Sequence, residues 1–214
     1  MNEITQSSAG AAIDGVELAP CWSCKGPVDR RALFCHTCSA IQPPQGIDHF
    51  SRLGLPQRYD LTAKDVERNY FGFQRVVHPD RFAAKSGREK TLAQAQAAAL
   101  NDAYETLRDP LARAMHLLDL RGAPLPKDDQ TIRDPELLLA AMEDREALAA
   151  ASTPEEVDAV HKRAQAEFET LEGRLGALFE SADYVSVQKS LLKLRYLEKL
   201  IEEARLRRGR LERS

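Results

Sequence analysis

Four cysteines fall as two Cys-x2-Cys pairs, Cys21/Cys24 and Cys35/Cys38, with ten residues between the pairs. One such pair wraps two sulfurs around one ion, and two pairs complete a tetrahedron. Gly26-Pro27 supplies a tight turn after the first pair. A segment this short cannot bury a core of its own, so metal binding would supply its folding energy. Zinc is the first expectation, and iron fits a four-sulfur site as well. Four thiolates already complete the site, which leaves His36 a bystander. A thioredoxin-like redox pair or a nucleic-acid-reading ribbon are the other readings. Against them, no βαβ pattern surrounds either pair, and Lys25, Arg30 and Arg31 are the region's only cations.

The second group that could act is His78-Pro79-Asp80. As a catalytic pair, His78 would be the base and Asp80 its orienter. They are near neighbours in sequence, however, and no Ser or Cys nucleophile with a recognisable elbow stands nearby. The chain also has no Gly-rich loop to cradle a phosphate, so it is expected to bind no nucleotide itself.

The elements that must position these groups are helical. Aromatics make up only 6% of the 214 residues, which suits Ala/Leu-rich helix packing better than a β-sandwich. The net charge of −3 gives no bias towards nucleic acid or membranes. No run of 18 or more apolar residues is present, so no membrane span is expected. Residues 1–20 hold Glu3, Asp14 and Glu17 without a Lys or Arg, unlike a secretory signal or a mitochondrial presequence. The expected home is therefore the reducing cytoplasm, where disulfides are rare.

Residues 1–17 are read as a disordered lead-in and 18–42 as the metal segment. A brief helix is expected over 47–53. A second follows over 62–77, with Thr62 and Asp65 at its start and Val66, Tyr70, Phe73 and Val77 along one face. It must stop at His78, since the residue before proline avoids the α region. A third helix, 88–108, would face inward through Leu92, Ala95, Ala99, Ala103 and Leu107. Asp109-Pro110 starts a fourth, and the Pro-rich stretch 119–133 is read as a linker at the main domain boundary. Asp134-Pro135, Thr153-Pro154 and the break at Ser181 then frame three amphipathic helices, an antiparallel bundle over 134–209.

The first helix of that bundle has an unusual face. Leu137, Ala141 and Leu148 share a narrow arc that would meet the bundle, with Asp144 close to the same seam. Leu138, Leu139, Met142, Glu143 and Glu146 spread over the opposite side, where a surface helix should be polar. An apolar patch with an acidic rim is the build of a binding site. Leu192, Tyr196 and Leu200 form a further stripe, read as separate from the core seam. The basic run 205–213, with Glu212 interleaved, is read as complementing a helix C-terminus.

A His-Pro-Asp loop after an amphipathic helix, followed by an antiparallel partner ending Asn101-Asp102-Ala103-Tyr104-Glu105-Thr106-Leu107, resembles the J-domain over residues 48–118. Asp48-His49-Phe50-Ser51-Arg52-Leu53-Gly54-Leu55-Pro56 narrows the likeness to the HscB family of iron–sulfur cluster co-chaperones. Arg108-Asp109-Pro110-Leu111-Ala112-Arg113-Ala114, Met142-Glu143-Asp144-Arg145-Glu146 and Lys193-Leu194-Arg195-Tyr196-Leu197 carry it on towards residue 205. The cysteine segment looks like the N-terminal extension of the eukaryotic form. The resemblance implies an all-α protein without catalytic activity of its own: a J-domain hairpin, then a three-helix bundle, preceded by a small zinc knuckle. It implies that His78, Pro79 and Asp80, with Arg68, Arg75 and Arg81, dock on a DnaK/HscA-class chaperone and trigger its ATPase. It further implies that Leu138, Leu139, Met142, Glu143, Glu146 and Tyr196 hold the scaffold IscU, while Leu137 and Ala150 depart from the bacterial pattern. A general J-domain adaptor with another client is the rival expectation, and a cysteine-metal redox or nucleic-acid-binding protein the rival of another class.

Overall fold

In the computed structural model, residues 12–13, 16–126 and 135–213 are described. They fold as two compact units. The first runs to Arg108, and the second holds 109–214 together with Arg58–Asp60.

The first unit begins with strands, of which only those outside the cysteine segment depart from the sequence reading. β1 (Ala12–Ile13), β2 (Val16–Pro20) and β3 (Pro27–Asp29) make an antiparallel sheet in that order. Ala12 faces Glu17, Ile13 faces Val16 and Ala19 faces Val28. The expected lead-in 1–17 is thus partly strand, and most of its remainder lies outside the described residues. α1 (His49–Arg52) follows, its first turn closed by Asp48, whose carboxylate accepts from the Ser51 amide and hydroxyl.

α2 (Ala63–Val77) starts at Thr62, which accepts from the Asp65 amide. It buries Val66, Tyr70 and Val77 against α3 (Gly87–Arg108). The inward face of α3 differs from the expected one. The buried line is Ala93, Gln96, Leu100, Ala103 and Leu107, whereas Leu92, Ala95 and Ala99 are only half-buried. The helix is turned so that Gln96 Nε2 donates to the Gln42 carbonyl at 2.9 Å, a buried bond spanning 54 residues that apolar periodicity cannot reveal.

The second unit opens at α4 (Pro110–Leu120), capped by Asp109 with Pro110 at the first position. The sequence reading assigned this helix to the preceding domain and put the boundary in 119–133. The chain divides instead at Asp109, because α4 buries Leu111, Ala114, Leu117 and Leu118 within the second unit. Arg113, itself buried, lies over the Tyr59 ring at 5.1 Å, and Tyr59 stacks on Phe179. α5 (Pro135–Ala150), α6 (Pro154–Glu180) and α7 (Tyr184–Leu211) complete the unit. Asp134, the expected cap of α5, lies outside the described residues. Val157, Val160, Ala164, Leu197, Ile201 and Ala204 fill the interior with Ala141 and Leu148 of α5. Arg163–Asp144 and Arg208–Asp158 ion pairs join neighbouring helices. Arg207 donates to the Ala149 and Ala151 carbonyls, so part of the basic run completes the C-terminus of α5. Among the described residues no helix is long and apolar enough to cross a membrane.

The first turn of α6 is a capping box. Thr153 Oγ1 accepts from the Glu156 amide, while Glu156 accepts from the amides of Ser152 and Thr153. The Ser152 amide and hydroxyl, with the Thr153 amide, hold the Glu156 carboxyl below its ordinary 4.5. A carboxylate depressed in the folded state adds stability above its unfolded pKa, and that contribution is lost as pH falls through the folded value. Thr153→Ala is therefore expected to lower the unfolding free energy by about 1 kcal/mol. Glu156→Gln should destabilise at neutral pH and become neutral in acid, read from denaturant titrations at both pH values.

Candidate functional site

Pro79 ends α2 and opens a single 3₁₀ turn, Pro79–Phe82. Val77 on one side and Phe82 on the other are buried, and they pin a loop whose tip faces outward. The His78 side chain is 51% exposed and that of Asp80 91%. His78 Nδ1 accepts from the Asp80 amide at 3.4 Å. That bond ties one ring nitrogen to the backbone of the turn itself. The Asp80 carboxylate, 3.5 Å from the same Nδ1, becomes an ion-pair partner only when the ring is protonated. Histidine and aspartate thus form an exposed polar tip, with no nucleophile between them. Arg75 and Arg81 flank it, both exposed. Arg68, nearly three turns back along α2 from His78, is exposed and paired with Asp65 at 2.7 Å.

The two cysteine pairs form matching loops. In one, the Lys25 amide donates to the Cys21 carbonyl and the Cys21 amide to the Gly26 carbonyl. In the other, Ser39 donates to Cys35 and Cys35 to Ala40. Lys25 and Ser39, at equivalent places, both adopt positive φ, 67° and 58°. The loops face each other so that all four sulfurs lie within 4.8 Å of one another. Cys21–Cys38 and Cys24–Cys35 are each 3.7 Å apart. A tetrahedral four-thiolate centre with bonds of about 2.3 Å has edges of about 3.8 Å, so the donor set fits a metal ion.

The electrostatics agree with that fit. Burial pushes the Cys21 thiol up, but the Cys24 and Ser23 amides, Gln42 and Cys38 outweigh it and bring it to about 6. The Cys38 and Thr37 amides likewise lower Cys35. At Cys24 the Gly26 amide lowers the thiol, yet its hydrogen bonds with the other three cysteines and its burial push it up to about 11. Sulfurs this close cannot all ionise without a cation among them. His36 is exposed beside the site. Sequence reasoning missed how this segment is held. Trp22 donates to the Ile41 carbonyl at 2.6 Å, and the Arg88 guanidinium of α3 lies 4.3 Å over its ring. Gln42 donates to Ala40 and towards Cys21, while its carbonyl receives Gln96.

On α5, Ala141 and Leu148 are buried as expected. Leu138, Leu139 and Met142 are exposed at 42%, 59% and 60%, with Glu143 and Glu146 exposed beside them. Asp144, so near the seam, is accounted for by Arg163 of α6 at 2.6 Å. Tyr196 is not on a separate stripe. It is buried with Leu200 in the interior, and its hydroxyl donates to the Ala141 carbonyl at 3.1 Å. The Leu192–Tyr196–Leu200 spacing that suggested a second surface reflects the breadth of the buried face of a central helix.

Comparison with known proteins adds the family. The HSCB C-terminal oligomerisation domain matches residues 133–205. The iron–sulfur cluster co-chaperone protein HscB of Mus musculus is 32% identical over 203 residues, covering 91% of this chain and 86% of its own. The co-chaperone HscB homologue of Paraburkholderia xenovorans is 35% identical, over 77% of this chain and 95% of its own. The crystal structure of human HscB superposes with a TM-score of 0.79 at 31% identity, covering 88% of this chain and 98% of that one. With two such relatives matched over most of their length, and the same fold in a third, the chain belongs to the HscB family of iron–sulfur cluster co-chaperones.

Proposed function

We propose that the chain recruits a DnaK/HscA-class chaperone, stimulates its ATPase, and delivers to it the iron–sulfur scaffold IscU, so that hydrolysis promotes cluster transfer. The observation that carries this reading is the His78-Pro79-Asp80 tip, exposed at the end of α2, flanked by Arg75 and Arg81, and anchored by Val77 and Phe82. A tip of this kind does no chemistry on a substrate. It offers a donor, a carboxylate and a rigid turn to a partner's surface, while Arg75, Arg81 and Arg68 steer the encounter. Leu138, Leu139 and Met142, rimmed by Glu143 and Glu146, would take the scaffold. Tyr196 would support that surface from beneath, through its bond to Ala141. Cys21, Cys24, Cys35 and Cys38 would hold zinc, a structural ion that supplies the folding energy of the segment. The reading places the chain in a reducing compartment such as the cytoplasm, where disulfides are rare.

His78→Gln is expected to abolish stimulation of the chaperone ATPase and leave the melting curve and scaffold binding unchanged. Normal stimulation by that variant would remove the reading. Leu139→Ser combined with Met142→Ser should weaken scaffold binding by about 2 kcal/mol, roughly thirtyfold, with little change in melting temperature. Calorimetric titration with IscU beside a melting curve checks both; a large thermal loss would mean that the patch is interior. Elemental analysis should find about one zinc per chain. Cys24→Ser should lose it and loosen 18–42 in hydrogen exchange, while the helical units stay folded on their own cores.

A further inference from the structure

Lys64, Arg68, Phe71 and Arg75 recur along α2 at intervals of four, three and four, so they share one face, and that face runs on into His78. Three are cations. The residue in the middle is a phenylalanine, 53% exposed. A lone exposed apolar side chain is ordinary on a protein surface. This one is built into a shelf. The Phe71 ring stands 5.1 Å from that of Tyr70, tilted by 58°, and 6.5 Å from that of Tyr104. Tyr70 and Tyr104 stack at 4.2 Å. The Tyr70 hydroxyl donates to Asn101 and accepts from Gln74, each at 2.8 Å, which fixes the stack to α3. Phe71 is therefore an apolar knob in a predominantly basic stripe, which Glu67 one turn before the ring interrupts and in which Arg68 is paired with Asp65.

We infer that Phe71 is the apolar anchor by which α2 grips its chaperone, seating in an apolar recess on an acidic face of the DnaK-class ATPase. This rests on the docking role proposed for His78-Pro79-Asp80, because the stripe is continuous with that tip. The basic stripe calls for an acidic partner surface, and a central aromatic ringed by charge is the arrangement of an interface hot spot. A ring already held by its neighbours gives up little freedom on docking. The labour is divided: the cations set the encounter rate and its salt dependence, Phe71 sets residence, and the His78 tip triggers hydrolysis.

The test is single-turnover ATP hydrolysis by a purified DnaK-class chaperone, titrated with the full chain and four variants. Phe71→Ala should raise the concentration giving half-maximal stimulation at least tenfold, with the same maximal rate and the same salt dependence as the parent. Phe71→Leu should recover most of the loss. Phe71→Lys should dock more weakly than the parent despite its added charge, and this result stands even if truncation to alanine lowers the melting temperature. A Phe71→Ala titration that superimposes on the parent, while His78→Gln is inactive, overturns the anchor and leaves the docking role intact. Tighter docking by Phe71→Lys overturns it too, since the face would then work by charge alone. Self-association that disappears in Phe71→Ala on sedimentation would give the knob to a second copy. Full stimulation by His78→Gln removes the anchor together with the docking role.

Discussion

A steric restriction governs the first unit. A clash with the Pro79 ring disfavours α-helical backbone at the residue before it, and α2 ends at Val77 with His78 as its cap at φ −55° and ψ 129°. Everything that presents the tip follows from that stop. The missing amide and fixed φ of proline suit the first position of the 3₁₀ turn, the turn brings Phe82 back to the interior, and Val77 is already there. The imidazole and carboxylate are then exposed because the two flanking residues are buried. A chain that ran on as helix would spread these three residues around its circumference.

Periodicity made much of this legible. The Thr62 and Thr153 starts, the Val66–Tyr70–Val77 seam of α2 (with Phe73 only half-buried), the Asp109-Pro110 start and the exposed Leu138–Leu139–Met142 side of α5 are all local patterns, and each stands where it was expected. What failed to show was non-local. The rotation of α3 depends on one glutamine meeting a carbonyl 54 residues earlier. The affiliation of α4 depends on what Leu111 and Leu117 bury, which a cap signal does not specify. Tyr196 misled for a related reason. α7 is central to its bundle and buried over a wide arc, so a second apolar stripe marked more core.

The cysteine segment is the other case in which spacing gave the chemistry and withheld the setting. Two Cys-x2-Cys pairs announce four sulfurs around one point, and the near-identical loops meet that expectation. Nothing in the spacing places Trp22 beneath Arg88, or Gln42 between Cys21 and Gln96. Those contacts make the segment part of the first unit and carry the order of the sulfur cluster into the same helix that supports α2.

The bonds that hold α5 also have an entropic meaning. Tyr196 grips the helix near its middle through the Ala141 carbonyl, and Arg207 grips its end through Ala149 and Ala151. On the binding role proposed for Leu138, Leu139 and Met142, these bonds hold the backbone beneath them in helical form without help from a partner. A partner settling on that surface has only side-chain rotamers to freeze, at ~0.5–1.5 kcal/mol each, and no helix to fold. More of the contact energy is then left as affinity than a disordered segment of the same composition would retain, since such a segment loses ~2–5 kcal/mol to ordering.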